Sequence, residues 1–305
     1  MRVVFFGTSE FAVPALRAIA QHVVLVVCQP DRPSGRGMKM QACPVKKVAL
    51  ELGLPVETPE KARDLEFVAQ VEALQADVHV VAAYGQILSV KLLETARNGG
   101  INLHGSILPE YRGAAPIQRA IADGKTETGV TLMQMAKGMD TGDMIDIVRT
   151  PIGPDETYGE LQTRLSLIAA QMIKNWLPRL CSGEYPREVQ NEELATHAAK
   201  VSREETELSF TQNADVAYRR FRAFTPNPSV YISTNRGRLK LKAVSRSNAK
   251  GGDGEILSVA PLIVGFSDVA LQFDKVQPEG KPEMTGEAWA NGQRLSIGDS
   301  LLMEL

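Results

Sequence analysis

Apolar residues in the first half of this chain alternate between short unbroken runs and stretches with helical spacing. Residues 3–6, 23–28, 77–83 and 100–104 are near-continuous apolar runs of strand length, the pattern of strands buried on both faces. Between them, residues 45–52 read as a helix with Pro44 near its first turn. Residues 65–74 read as another, because Phe67, Val68, Val71 and Leu74 recur on one helical face. Gly7-Thr8-Ser9 turns the first strand into a helix carrying Phe11, Leu16 and Ile19. Buried strands separated by helices predict an α/β fold with a Rossmann-like, doubly wound, mostly parallel sheet.

Further along, residues 130–135 and 144–148 read as two more strands around Gly138-Met139-Asp140-Thr141-Gly142-Asp143. Thr157 and Glu160 have the spacing of a capping box, opening a long helix that reaches about residue 180. Periodicity then fades. After a short helix at 214–224, the tail offers short strands at 230–232, 239–244, 255–259, 262–266 and 269–273, with glycine-bearing turns at Asn235-Arg236-Gly237 and 251–254. That texture predicts a small OB-like β-barrel. The expected organisation is a catalytic domain over 1–181, a linker over 182–201 and a C-terminal OB-like domain over 202–305.

A length of 305 residues accommodates one large domain and a smaller one. Three widely spaced cysteines, Cys28, Cys43 and Cys181, form no CxxC pair or Cys/His cluster, so no metal is expected. The chain enters a strand almost at once, without a signal-peptide pattern, and no apolar run approaches the length of a membrane span. A soluble cytoplasmic protein with no membrane partner is the expectation.

The net charge of −2 hides a local asymmetry. Residues 216–250 hold Arg219, Arg220, Arg222, Arg236, Arg238, Lys240, Lys242, Arg246 and Lys250 and no acidic residue. A solvated face is the ordinary meaning of a charge run, but basic strands on a barrel also make a groove for a polyanion, with RNA the leading candidate. A second basic element is the glycine-rich loop 31–39, with Arg32, Arg36 and Lys39.

Candidate chemistry concentrates at Asn102-Leu-His-Gly-Ser-Ile-Leu-Pro109. Asn102 and His104 lie two residues apart at the carboxyl end of a strand, so their side chains share a face. That end is where open α/β sheets bind ligands, and an amide beside an imidazole can hold the oxyanion of an acyl-transfer intermediate. A histidine after a strand can equally be a packed residue. Asp140 offers a carboxylate, or merely an Asx turn. Tyr84-Gly85-Gln86-Ile87-Leu88 follows a buried strand and reads either as a slot for a flat ligand or as a plain connecting loop. Gly7-Thr8-Ser9-Glu10-Phe11 lacks the second and third glycines of a dinucleotide fingerprint, which disfavours a nicotinamide cofactor.

Several strings together resemble the methionyl-tRNA formyltransferases, a branch of the 10-formyltetrahydrofolate-dependent formyltransferase family. They are Phe6-Gly-Thr8, Gln29-Pro-Asp-Arg-Pro-Ser-Gly-Arg-Gly37, Ala83-Tyr-Gly-Gln-Ile-Leu88, Asn102-Leu-His-Gly-Ser-Ile-Leu-Pro109, Tyr111-Arg-Gly-Ala-Ala-Pro-Ile-Gln118, Thr128-Gly-Val-Thr131 and Met139-Asp-Thr-Gly-Asp143. The resemblance implies that Asn102 and His104 stabilise the formyl oxygen and that Asp140 helps remove a proton from the attacking amine. It implies a folate site at Tyr84, Gly85, Gln86, Ile87, Leu88, Ser106, Ile107, Leu108 and Pro109, with a cis Leu108–Pro109 bond. It also implies tRNA contacts at Arg32, Arg36, Lys39, Arg219, Arg236, Arg238, Lys240 and Lys242.

The expected co-substrate is 10-formyltetrahydrofolate without a metal, the expected partner is initiator methionyl-tRNA, and a monomer is expected. An amino sugar or other small amine as acceptor, or a formyltetrahydrofolate hydrolase, would use the same Asn102, His104 and Asp140. Neither would need arginines in the 31–39 loop. One departure is Asn227-Pro228-Ser229, where the family carries a tryptophan after Asn-Pro.

Overall fold

A computed structural model describes residues 1–34 and 39–303. The chain divides into two compact units, one formed by residues 1–116, 127–151 and 162–199, the other by 117–126, 152–161 and 200–305.

The strands of the first unit are β1 (Val3–Gly7), β2 (Val23–Val27), β3 (Arg32–Ser34), β4 (Lys39–Gln41), β5 (Val56–Glu57), β6 (Val78–Ala82), β7 (Gly100–His104), β8 (Arg112–Gly113), β9 (Glu127–Gln134), β10 (Met144–Pro151) and β11 (His197–Ala198). Among the described residues, seven of these form one sheet in the order β10-β9-β7-β6-β1-β2-β5. The run from β7 to β5 is parallel, while β9 and β10 add an antiparallel edge. β1 and β6 are neighbouring interior strands, and all five residues of each are buried, which only strands covered on both faces allow.

The helices α1 (Val13–Ile19), α2 (Pro44–Glu51), α3 (Leu65–Glu72) and α4 (Val90–Leu93) fall between these strands. Phe67, Val68 and Val71 of α3 enter the core with Val4, Phe6 and Leu92, as their spacing predicts. The four-residue α4 carries too little periodicity to be read from sequence; Ser89 Oγ caps it by accepting the Leu92 N–H at 3.2 Å. The order in which strands are added reverses at β1, where β2 lies on one side and β6 on the other, with Gly7 opposite Ala82. A Cβ at Gly7 would lie 2.8 Å from the Phe5 ring and 2.9 Å from Ala12, so glycine permits this close turn.

Two stretches carry pairing that no periodicity announces. The basic loop at 31–39 is flanked by a ladder, with β3 and β4 antiparallel and Arg32 opposite Gln41. Residues 182–199, without helical or strand periodicity, belong to the first unit and are held there by main-chain pairing. Met144 and Glu188 exchange both main-chain hydrogen bonds at 2.8 Å, and β11 pairs in parallel with β8.

α5 (Pro116–Ala122) and α6 (Tyr158–Ser182) follow β8 and β10 in the chain. Glu160 Oε2 accepts from the Thr157 N–H at 2.8 Å and from its hydroxyl at 2.7 Å, so the carboxylate half of the expected box opens α6.

The second unit contains α7 (Ala214–Phe224), α8 (Gly286–Gly292) and the strands β12 (Glu207–Leu208), β13 (Val230–Thr234), β14 (Gly237–Arg246), β15 (Ile256–Val259), β16 (Leu262–Gly265), β17 (Ala270–Pro278) and β18 (Met284–Thr285). Their order is β12-β13-β14-β17-β16-β15, with β18 on β17, and every ladder except β12–β13 is antiparallel. No ladder joins the end strands β12 and β15 among the described residues. The expected barrel is therefore present as an antiparallel sheet without a closing seam; its end strands are only two and four residues long. Alternation sorts the first half of β14, with Leu239 and Leu241 in the core and Arg238 and Lys240 facing water, until the register shifts beyond Leu241.

Candidate functional site

Asn102 and His104 stand at the carboxyl end of β7, paired with Met133 and Thr131 of β9. The connection from β9 to β10 carries Asp140, whose carboxylate reaches both. Asn102 Nδ2 donates to Asp140 Oδ1 at 3.2 Å, and His104 Nδ1 lies 3.6 Å from Asp140 Oδ2. A third group joins them, as the Gly113 N–H of β8 donates to Asp140 Oδ2 at 2.9 Å.

The imidazole is fixed from its far side by the Tyr111 carbonyl, 2.9 Å from Nε2. A carbonyl only accepts, so Nε2 carries a hydrogen there and Nδ1 is the ring atom turned to the carboxylate. By the same reasoning the Asn102 amide must present its NH₂ group to Asp140, leaving the second hydrogen of that group for another acceptor. His104 is only 5% exposed, whereas the Asp140 side chain retains 14% and Asn102 is half-buried, so a reactant can meet the carboxylate and the amide. Asp140 at φ 53 and Tyr111 at φ 61 both hold left-handed backbone away from glycine, conformations that cluster at functional sites.

Three partners of this site escape a reading of the sequence. The Gly113 N–H and the Tyr111 carbonyl are main-chain groups, which no residue type advertises. Gln190, 3% exposed, donates to the carbonyls of Asp140 at 2.8 Å and Gly142 at 2.7 Å. Its Oε1 accepts from Arg112 Nε at 2.9 Å, and Arg112 in turn grips Glu192 through both terminal nitrogens at 2.8 Å. Hydrogen bonding to Glu192 raises the pKa of the Arg112 guanidinium above its ordinary value, so a permanent cation sits behind the Asp140 turn.

The loop 84–88 is held mainly by its own side chains. Tyr84 is buried and packs edge-on against Phe6 at 5.5 Å, and burial raises its phenol pKa. Its carbonyl accepts from Thr8 Oγ1 at 2.7 Å and Gln29 Nε2 at 3.2 Å. Gln86 accepts from the Ala62 N–H at 2.9 Å and donates to the Pro59 carbonyl, and Leu88 joins the core. What the loop presents outward is Ile87, 78% exposed, and the open main chain at Gly85.

On the other side of β7, the Ser106 hydroxyl donates to the Glu110 carbonyl, and Leu108 packs with Met133 and Met144. Ile107 and Pro109 are half-buried, and the Leu108–Pro109 bond is cis. Two open grooves lie elsewhere, one in each unit, and Asn102, His104 and Asp140 line neither.

The basic residues separate into two groups. Arg222 is buried and donates to the Gly153 and Glu156 carbonyls, Arg220 binds the Glu205 carbonyl and Gln212, and Arg246 pairs with Asp155 at 2.8 Å. Arg219 pairs with Asp215 one turn away on α7 at 3.4 Å. Arg236 is exposed in the β13–β14 turn, and Arg238, Lys240 and Lys242 alternate along β14. Arg238 stacks over Tyr231 at 4.4 Å, and both line a groove of about 610 Å³ together with Lys240 and Arg203. Arg32 is exposed, 3.9 Å from Glu60; Arg36 and the side chain of Lys39 lie outside the described residues.

Among the described residues, no three His, Cys, Asp or Glu side chains are grouped to hold a metal ion, and no helix is long and apolar enough to cross a membrane.

Residues 1–177 match the family described as formyl transferase, and residues 200–294 match formyl transferase, C-terminal domain. A methionyl-tRNA formyltransferase of Symbiobacterium thermophilum is 43% identical over 98% of this chain and 94% of its own length. That of Neisseria meningitidis serogroup B is 42% identical over 99% of this chain and all of its own. Among solved structures, HypX from Aquifex aeolicus in complex with tetrahydrofolic acid superposes with a TM-score of 0.68 at 14% identity. The match covers 97% of this chain and 48% of HypX, so this chain spans about half of that protein. An N-formyltransferase from Helicobacter canadensis, in complex with folinic acid and dTDP-3-aminofucose, gives 0.65 at 19% identity over 90% and 98% of the two chains. At such identities these likenesses are of fold.

Proposed function

The chain belongs to the formyl transferase family, and from that premise we propose that it moves the formyl group of 10-formyltetrahydrofolate onto the free amino group of initiator methionyl-tRNA. The observation that carries this reading is the meeting of Asn102, His104 and Asp140 around one carboxylate, in a chain about 42% identical throughout to methionyl-tRNA formyltransferases.

The division of labour follows from the contacts. A neutral α-amine, with an ordinary pKa of about 8, attacks the formyl carbon without needing a strong base. The formyl oxygen gains charge as the carbon becomes tetrahedral, and the second N–H of Asn102 is the donor aimed at it. His104, with Nε2–H committed to the Tyr111 carbonyl and Nδ1 3.6 Å from Asp140 Oδ2, sets its imidazole beside the formyl oxygen. Asp140 takes the proton that the attacking amine loses; as the tetrahedral carbon collapses, its bond to N10 of the folate breaks and that proton passes to N10, releasing tetrahydrofolate. This scheme runs on fixed donors and one carboxylate and needs no metal.

The folate co-substrate fits the open stretch around Gly85 and Ile87, which offers main-chain groups and an apolar side chain to a flat ring, with 106–109 on the other side. The tRNA backbone fits the Arg238–Tyr231–Lys240 groove, where cations and an aromatic ring share one face. Catalysis is assigned to residues 1–181 and tRNA binding to 202–305, with Arg32, Arg36 and Lys39 near the acceptor end, in a cytoplasmic monomer.

The test is incubation of the purified chain with 10-formyltetrahydrofolate and charged initiator tRNA, beside a charged elongator tRNA and a nucleotide amino sugar. Formylmethionyl-tRNA from the initiator alone is the expected product. Formylation of the sugar with none on tRNA would overturn the reading.

A further inference from the structure

The stretch at 188–198 contacts the turn that carries Asp140, the strand β8 that binds its carboxylate and the residue whose carbonyl holds His104. Glu188 pairs with Met144 just beyond the Asp140 turn. Gln190 holds the Asp140 and Gly142 carbonyls, and Glu192 holds Arg112. Thr196 Oγ1 accepts from the Tyr111 N–H at 2.8 Å, the same residue whose carbonyl orients His104. β11 then pairs with β8, which supplies the Gly113 N–H to Asp140.

We propose that Gln190 is a positioning residue for Asp140, joining the turn that carries the carboxylate to the strand that binds it. The proposal rests on the formyl-transfer reading above and deepens it. Three separate pieces of chain determine where the carboxylate sits: its own turn at 138–143, Gly113 of β8 and Asn102 of β7. Gln190 is bonded to the first two, directly to the turn and, through the Arg112 side chain, to β8. The turn needs such a hold, since Asp140 occupies a region that L residues seldom adopt. Its neighbour Gly142 has no room for a side chain, because a Cβ there would lie 1.8 Å from the Gln134 carbonyl oxygen.

Only a primary amide of this length meets the demand. Two carbonyls require two hydrogens from one group, while the Arg112 Nε–H requires an acceptor on the other end. Glutamate would set a carboxylate against two carbonyl oxygens, and asparagine is one methylene short. Burial keeps water from substituting for a lost bond, so a change at Gln190 is transmitted to Asp140. The exposed main chain near Gly85 and the groove at Arg238 are not among its partners, so binding of either reactant should be spared.

Gln190→Met fills the same space without the polar groups. We expect kcat to fall about tenfold to a hundredfold, as a carboxylate displaced by about 1 Å would cause, with KM for folate and for tRNA within about twofold. In the Asp140→Asn background, Gln190→Met should reduce residual turnover no further, since its effect runs through the carboxylate. Wild-type kcat in Gln190→Met, or losses that multiply in the double variant, would overturn the proposal. Where thermal melting shows that Gln190→Met does not fold, Gln190→Glu, which keeps the acceptor for Arg112, is judged by the same two criteria. A wild-type chain inactive on initiator tRNA would instead remove the functional reading, and the two failures are told apart by that control.

Discussion

Gly113 gives its main-chain N–H to Asp140 Oδ2 at 2.9 Å from a backbone at φ 122, a conformation that side chains rarely adopt. A Cβ added there would lie 2.8 Å from the Ala198 carbonyl oxygen and 2.9 Å from the His197 ring. Gly113→Ala must therefore shift β8 away from β11 and draw the N–H from the carboxylate. We expect a stability loss of about 2 kcal/mol and a kcat reduced at least about tenfold. A denaturant midpoint and steady-state rates measure both, and unchanged values would show that Asp140 does not depend on this donor.

Asp140→Asn keeps the shape of the side chain and replaces one acceptor by an NH₂ group. With its oxygen on the Gly113 N–H, the new amide turns its NH₂ to Asn102, which can answer only by turning its carbonyl over and its donors away from the formyl oxygen. The variant loses the proton acceptor and misdirects the Asn102 donor, so kcat should drop by about 10² to 10⁴. Folate binding, read by fluorescence or calorimetry, should persist. Turnover near the wild-type level would exclude Asp140 from the proton transfer.

Much of this arrangement was legible in advance, and for identifiable reasons. Apolar runs such as residues 3–6 are unambiguous because a buried parallel strand has no polar face, and Asn102 and His104 share a face by strand alternation alone. Asp140 needed the structure, since its turn meets β7 only through the order of strands across the sheet. Gln190 sits in a stretch whose pairing is main-chain and side-chain hydrogen bonding, which leaves no periodic trace. The basic run was visible as a count but not as a surface. Arg220, Arg222 and Arg246 serve carbonyls and Asp155, and their sequence context resembles that of Arg238 and Lys240.

That separation within the basic run has a measurable consequence. Arg238→Ala and Lys240→Ala should each raise KM for tRNA, leave kcat near its original value and lower the slope of log affinity against log salt by about 1. Arg222→Ala should do something different, because it removes a buried donor to the Gly153 and Glu156 carbonyls. Its expected signature is a lower melting temperature with an unaltered salt slope. If the β14 variants keep the original slope, tRNA does not lie along Arg238 and Lys240.

His79 supplies an acid sensitivity that is independent of catalysis. It is wholly buried in β6, edge-on to Phe6 at 5.4 Å, with Nε2 2.8 Å from Thr95 Oγ1. Nδ1 has no hydrogen-bond partner among the described residues, and burial lowers the pKa from 6.5 to about 4. The unfolded chain thus binds a proton near pH 6.5 that the folded chain refuses until about pH 4, so stability rises with pH between those values. Above pH 6.5 the contribution is level, and by pH 4 the fold has lost about 3 kcal/mol from this one side chain. His79→Leu should remove that slope at small cost near pH 8, because the Thr95 hydroxyl already donates to the Leu92 carbonyl at 2.7 Å and is not left as an unpaired donor. Melting temperatures of the two chains at pH 8 and pH 5 provide the comparison. The gap between them should close or invert at pH 5, and curves that stay parallel would mean that His79 is not the group whose protonation destabilises the fold.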